Sequence, residues 1–159
     1  GRPYKGTLYG GLMITNNVPK LLEFNSRLGD PETQVVLPRL KTDLVEIMLA
    51  VIDNRLDKIK IEFDNNACVG VVLASGGYPG NYKTGFTISG LDDLDKDIMV
   101  FHAGTNVGEK GEVVTSGGRV LTVAAKGKDL KEAREKVYKN MTRIKFEGCY
   151  YRRDIAEIK

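Results

Sequence analysis

Residues 20–34 read KLLEFNSRLGDPETQ. From Leu22 to Leu28 apolar and polar positions alternate, so as a strand Leu22, Phe24 and Ser26 face one side and Glu23, Asn25 and Arg27 the other. The first face predicts core and the second predicts chemistry. A carboxylate, a neutral amide oxygen and a guanidinium, spaced roughly 7 Å apart along one strand face, suit a magnesium-bound polyphosphate. Mg2+ takes hard oxygen ligands, one or two from protein and the rest from water and phosphates, while a planar guanidinium matches a phosphate or carboxylate. Gly29-Asp30-Pro31 is a turn signal that ends the strand. Taken alone, Glu23, Asn25 and Arg27 also fit an ordinary edge strand with a solvated face.

Outward from this stretch, the 159 residues suffice for one well-buried domain or two small ones, and 42% hydrophobic content fits a globular class. The net charge of +3 arises from 24 basic and 21 acidic residues that are interspersed, without a basic block, which predicts no nucleic-acid partner. No apolar run approaches the roughly 20 residues of a membrane helix, and the start shows no signal segment. A cytoplasmic protein with no membrane partner is expected. Cys68 and Cys149 stand with a single His, which favours two reduced, largely buried thiols over a disulfide framework or a zinc site.

Upstream, Leu8, Tyr9, Leu12, Met13 and Ile14 form an extended pattern, and Thr15-Asn16-Asn17 a turn, so a hairpin leads into the strand that holds Glu23. Residues 1–22 contain no Asp or Glu, so the upstream strand adds no carboxylate. Downstream, between Pro31 and Leu40, the residues Val35, Val36, Leu37 and Leu40 read as a short helix, either ended before Pro38 or restarted by it. Thr42 reads as an N-cap, and Leu44, Ile47, Met48 and Val51 predict a helix from about Asp43 to Arg55. Beyond a charged connector, strands are expected at 67–74, 85–89, 98–103, 112–115 and 119–125, as an antiparallel sheet or small barrel. Asp129 to Glu132 resembles a capping box, followed by Leu130, Ala133, Val137, Met141 and Ile144 at helical steps. The charged residues of that helix read as its solvated face. The tail with Phe146, Tyr150 and Tyr151 is expected to return as a strand, and 154–159 to fray.

Three further stretches invite site readings. Ser75-Gly76-Gly77-Tyr78-Pro79-Gly80 lacks the Gly-Lys-Ser/Thr ending of a phosphate loop and is not followed by a helical pattern, so it reads as a tight turn. Gly117-Gly118-Arg119 reads as a hairpin turn, with Arg119 as a possible phosphate contact. His102 has no nearby nucleophile or acid partner in sequence and reads as structural.

The run from Glu23 to Gln34 resembles the metal-binding strand and following loop of the glycinamide ribonucleotide synthetases (phosphoribosylamine-glycine ligases), which are ATP-grasp enzymes of purine synthesis. Gly76 to Tyr82, Phe101 to Thr105, Gly117 to Leu121 and Cys149 to Ile155 resemble the C-terminal domain of the same family, in the same order. The family's N-terminal domain and first ATP-grasp lobe, with the residues for adenine and most of the triphosphate, would precede Gly1. The chain is thus expected to be a C-terminal fragment.

The resemblance implies an α+β fold in two parts: residues 1–65 as the C-terminal part of an ATP-grasp lobe, and 66–159 as a small antiparallel β-rich domain with one packed helix. It implies Glu23 and Asn25 as ligands of Mg2+ (or Mn2+). Arg27 is implied as the catalytic and substrate-orienting cation, and Asp30 as a substrate contact. ATP, glycine and phosphoribosylamine are the implied partners, joined through an acyl phosphate. The fragment is expected to fold, to be inactive alone, and to self-associate through Leu8, Leu12 or Val36. Two rivals stand beside this: the same half of a biotin carboxylase-like enzyme, against which Gly29 to Gln34 argues, and a non-catalytic interaction module.

Overall fold

The structure, a computed structural model, describes residues 1–157, in two compact units divided between Asp64 and Asn65. Ile158 and Lys159 lie outside the described residues, and with them the end of the tail expected to fray. Helices and antiparallel sheets are mixed, as the α+β expectation requires.

In the first unit, β1 (Tyr9–Thr15) and β2 (Val18–Asn25) form an antiparallel hairpin. Its two-residue turn places Asn16 and Asn17 at φ 52° and 61°, the left-handed conformation that such turns require and that Asn tolerates best after Gly. The register slips between Gly11 and Leu12, leaving Leu22 as an extra residue on β2. Gly11 pairs with Glu23 and Leu12 with Leu21, so Leu21 joins Leu12 and Phe24 on the face away from Glu23.

That face is not core. Leu22 and Phe24 are each 63% exposed, against the expectation that they are buried. A two-stranded ribbon has two open faces and needs a third strand or a helix to bury one; no helix of this unit packs extensively against it. Only Ala50 is a fully buried apolar residue of the unit among the described residues.

The chain then makes a short helix α1 (Thr33–Val36), restarted through Pro38 as a 3-10 turn over Leu37–Arg39. Helix α2 (Leu44–Ile52) is capped by Asp43, whose carboxylate accepts from the N–H groups of Val45 (2.7 Å) and Glu46 (3.3 Å). Thr42, expected to be the cap, instead donates to the Lys60 carbonyl and accepts from the Glu62 N–H, tying in the returning segment. The helix ends before the expected Arg55. Asn54 turns left-handed at φ 53°, Arg55 N–H reaches the Ala50 carbonyl (2.9 Å) and Asn54 N–H the Val51 carbonyl (3.3 Å), which satisfies the last carbonyls.

The second unit is built on β7 (Arg119–Gly127), flanked antiparallel by β3 (Ala67–Ala74) and β4 (Ile98–His102). A separate ribbon pairs β5 (Thr105–Val107), unexpected because it is three residues long, with β6 (Val113–Thr115). The expected strand at 85–89 is reduced to single bridges at Thr87 and Ser89, and the expected final strand to one at Tyr150 against Ala74. Helix α3 (Leu130–Met141) packs on the sheet. Its cap is Asp129, which accepts from Glu132 N–H at 2.8 Å, while Glu132 reaches back to Lys128 N–H at 3.1 Å.

Val69, Val71 and Leu73 of β3, Val120 to Ala125 of β7 and Ala133, Val137 and Met141 of α3 are buried together. Each large side chain there contributes roughly 1.5–3 kcal/mol. Helix and strand meet so closely at Gly127 that a Cβ there would lie 2.5 Å from the Ala133 nitrogen. The charged side of α3 is more than a solvated face. Arg134 donates to the carbonyls of Arg153 and Ile155, and Tyr138 to that of Arg152, which pins the 152–155 segment. Neither cysteine forms a disulfide among the described residues and both are half-buried, with burial pushing the Cys149 thiol up to about 11.

Candidate functional site

Strand β2 delivers Glu23 and Asn25 to one face of the hairpin. Their cross-strand partners are Gly11 and Tyr9, which therefore share that face. Glu23 is exposed, and Asn25 half-buried. With a hydrogen atom for a side chain, Gly11 itself puts no bulk over the Glu23 side chain.

Arg27 does not extend the strand, which stops at Asn25. It lies in the bend that follows and folds back, Nη2 donating to Asn25 Oδ1 at 3.2 Å and Nη1 to the Leu28 carbonyl at 2.9 Å. The guanidinium and the amide oxygen are therefore brought together, closer than strand spacing alone would put them. Asp30 is exposed in the next turn, its Oδ1 accepting from Gln34 Nε2 at 3.0 Å.

Glu23 and Asn25 fit a hard cation by chemistry. Both are oxygen donors on one strand face, and Asn25 Oδ1 keeps a lone pair beyond the one that Arg27 uses. No cluster of three or more His, Cys, Asp or Glu side chains forms among the described residues. Phosphate and water oxygens would thus have to supply most of the coordination shell.

Sequence reasoning did not reach Tyr9 and Glu32. The Tyr9 hydroxyl donates to Glu32 Oε1 at 3.0 Å, and this bond, with the negative charges of Glu32 and Glu23 nearby, raises the phenol above its ordinary pKa. Glu32 folds back over Gly29, where a Cβ would lie 2.4 Å from Glu32 Oε2. No local pattern announces a contact between residues so far apart in sequence.

In the second unit the glycine-rich stretches form packed turns. Ser75 Oγ donates to the Gly117 carbonyl and Ser75 N–H to that of Gly118, each at 2.8 Å, while a Cβ at Gly118 would strike the Tyr78 ring at 2.2 Å. His102 is exposed, its Nδ1 2.9 Å from Thr105 Oγ1.

Residues 68–158 match the model of the phosphoribosylglycinamide synthetase C domain, and residues 1–33 that of the ATP-grasp (A) domain of the same synthetases. The chain belongs to the phosphoribosylglycinamide synthetase family. Its resemblance to that family at Glu23–Gln34 and through the later motifs is borne out. Among relatives, a synthetase-family protein named phosphoribosylamine–glycine ligase from Caldanaerobacter subterraneus subsp. tengcongensis is 53% identical over 98% of this chain and 37% of its own length. Its namesake from Escherichia coli O157:H7 is 50% identical over the same shares. The trifunctional purine biosynthetic protein adenosine-3 of Gallus gallus is 51% identical over 98% of the chain and 16% of its own length.

The crystal structure of phosphoribosylamine–glycine ligase from Thermotoga maritima superposes with a TM-score of 0.75 at 38% identity, over 93% of this chain and 36% of that one. Kluyveromyces lactis urea carboxylase, at 23% identity, TM-score 0.58 and 90% of this chain against 13% of that one, shares the fold alone. This synthetase-family chain thus spans a little over a third of the ligases that it matches.

Proposed function

We propose that the chain is the C-terminal part of an ATP-dependent ligase that joins glycine to 5-phosphoribosylamine in the cytoplasm. Residues 1–65 then form the end of the ATP-grasp lobe and 66–159 the C-terminal β-rich domain. The observation that carries this reading is the placement of Glu23 and Asn25 on one face of β2 with Arg27 folded onto Asn25. The family matches at 1–33 and 68–158 support it.

In this reaction a glycine carboxylate oxygen attacks the γ-phosphorus of ATP and ADP leaves. The amine of phosphoribosylamine then attacks the acyl carbon, loses a proton and expels phosphate, giving glycinamide ribonucleotide. Phosphoryl transfer of this kind depends on positioning and on fixed charge where negative charge gathers. Mg2+ (or Mn2+), when held by Glu23 and Asn25, supplies part of that charge. Arg27 binds and orients an oxyanion of the substrate, and its hydrogen bond to Asn25 sets the guanidinium beside the metal ligands. Asp30 faces the phosphoribosyl part.

Alone, the chain holds one charged metal ligand of the pair and is inactive. Its exposed Leu8, Leu12 and Val36 give it apolar surface through which copies associate. ADP release from ATP with glycine and phosphoribosylamine, run on this chain and on a full-length ligase carrying it, tests the reading. Turnover in the full-length ligase alone is expected, and comparable turnover by the isolated chain would overturn it.

A further inference from the structure

We propose that Tyr9 is a positioning residue, a strut from β1 that holds the 29–33 turn against the hairpin face bearing Glu23 and Asn25. This rests on the reading of Glu23, Asn25, Arg27 and Asp30 as one site. On that reading the turn, which leaves β2 through a bend, carries Asp30 toward that face. Its internal bonds are local: the N–H and hydroxyl of Thr33 both donate to the Gly29 carbonyl, and Gln34 holds Asp30. These bonds shape the turn but do not aim it.

Aim comes from Glu32. Glu32 sits at the N-terminal boundary of α1, yet its carboxylate caps no N–H group there. It is folded over Gly29 instead, a path that the missing side chain at 29 leaves open. Oε1 then meets the Tyr9 hydroxyl at 3.0 Å. Tyr9 is paired with Asn25 across the strands, so its backbone is fixed to the metal-ligand face by the hairpin ladder and its ring reaches from that face to the turn. A phenol suits this task because its ring is rigid and only two torsions must be frozen. A hydrogen bond from a neutral donor to a carboxylate is also stronger than one between neutral groups. Glu32 thereby gains a role without touching metal or substrate.

The test is a double-mutant cycle in a full-length ligase carrying this sequence, with Tyr9→Phe, Glu32→Ala and both, alongside amide exchange on the isolated chain. Tyr9→Phe is expected to raise the KM for the substrate held by Arg27 and Asp30 by about tenfold, the size of one hydrogen bond to a charged group. kcat and melting temperature should change little, and exchange at Thr33, Val35 and Val36 should quicken. Glu32→Gln keeps an acceptor oxygen but loses the charge and should raise KM by less than Tyr9→Phe does, whereas Glu32→Ala should match Tyr9→Phe and the double variant add nothing. Additive effects, or unchanged amide exchange in Tyr9→Phe, would overturn the strut. Faster exchange with unchanged KM would overturn its role in the site. Glu23→Gln reports on the site itself: if that variant is fully active, the reading beneath the proposal fails, and the proposal with it.

Discussion

Asn140 and Asp95 grip one another twice. The amide oxygen of Asn140 accepts the Asp95 N–H at 2.9 Å, and its Nδ2 donates to the Asp95 carboxylate at 3.1 Å. Asn140 is fully buried on α3, where its Nδ2 also donates to the Lys136 carbonyl. The pair clamps the 91–97 segment to the helix, and Arg143 and Lys139 reach the same carboxylate at 3.0 and 3.3 Å.

These contacts, the Asn140 bond foremost, hold Asp95 down at about 2 against an ordinary 3.8. A carboxyl with a depressed folded pKa adds stability above its unfolded value and loses it as pH falls toward the folded one. The melting temperature of the chain should therefore drop between about pH 4 and pH 2 partly through Asp95. Asp95→Asn should melt lower than the parent at pH 7, with the gap closing over that window. Parallel curves across it would show that the clamp does not depend on this charge.

Buried and exposed apolar residues should separate the two units. Leu73→Ala and Met141→Ala each empty a fully enclosed site, at a cost of roughly 2–5 kcal/mol. Leu22→Ala and Phe24→Ala remove exposed side chains and should cost under about 0.5 kcal/mol, as surface changes do. Urea unfolding of the four variants checks this, and a large loss at Phe24 would mean that another surface covers the hairpin.

Glu23→Gln in a full-length ligase carrying this sequence should nearly abolish turnover with an unchanged melt, because it deletes a charge from an exposed strand face. Activity near that of the parent at saturating magnesium would remove Glu23 from the metal site.

Arg27→Lys should raise the KM for a substrate and leave melting unchanged. The guanidinium spans Asn25 Oδ1 and the Leu28 carbonyl at once, and a single ammonium does not reproduce that fork or a two-pronged grip on an oxyanion. Unaltered affinity for glycine and phosphoribosylamine in the Lys variant would make Arg27 a surface residue.

Much of this was legible in the sequence, for local reasons. Helix α3 is marked by its Asp129 cap and by Ala133, Val137 and Met141 four residues apart, and β7 by the β-branched and apolar residues from Val120 to Ala125. The alternation around Glu23 correctly puts Glu23 and Asn25 on one face. The bulge at Leu22 left no trace in the residue types, so the membership of the opposite face was misread, and alternation alone says nothing of whether a face is covered. Thr42 and Asp43 are both good caps, and only the returning segment at Glu62 decides between them. Tyr9 with Glu32 and Asp95 with Asn140 are side-chain pairs across long stretches of chain, which no periodicity records.

The central place of β7 also governs the order in which the second unit is made. Strand β3 emerges from the ribosome about fifty residues before the strand that pairs with it, and β4 likewise waits for the same partner. Until Arg119–Gly127 has been synthesised, Val69, Val71 and Leu73 have no ladder to join, so closure is non-local and slow compared with a helical bundle. A nascent chain stalled before residue 119 would carry an unpaired, valine-rich strand, the kind of segment that chaperones hold.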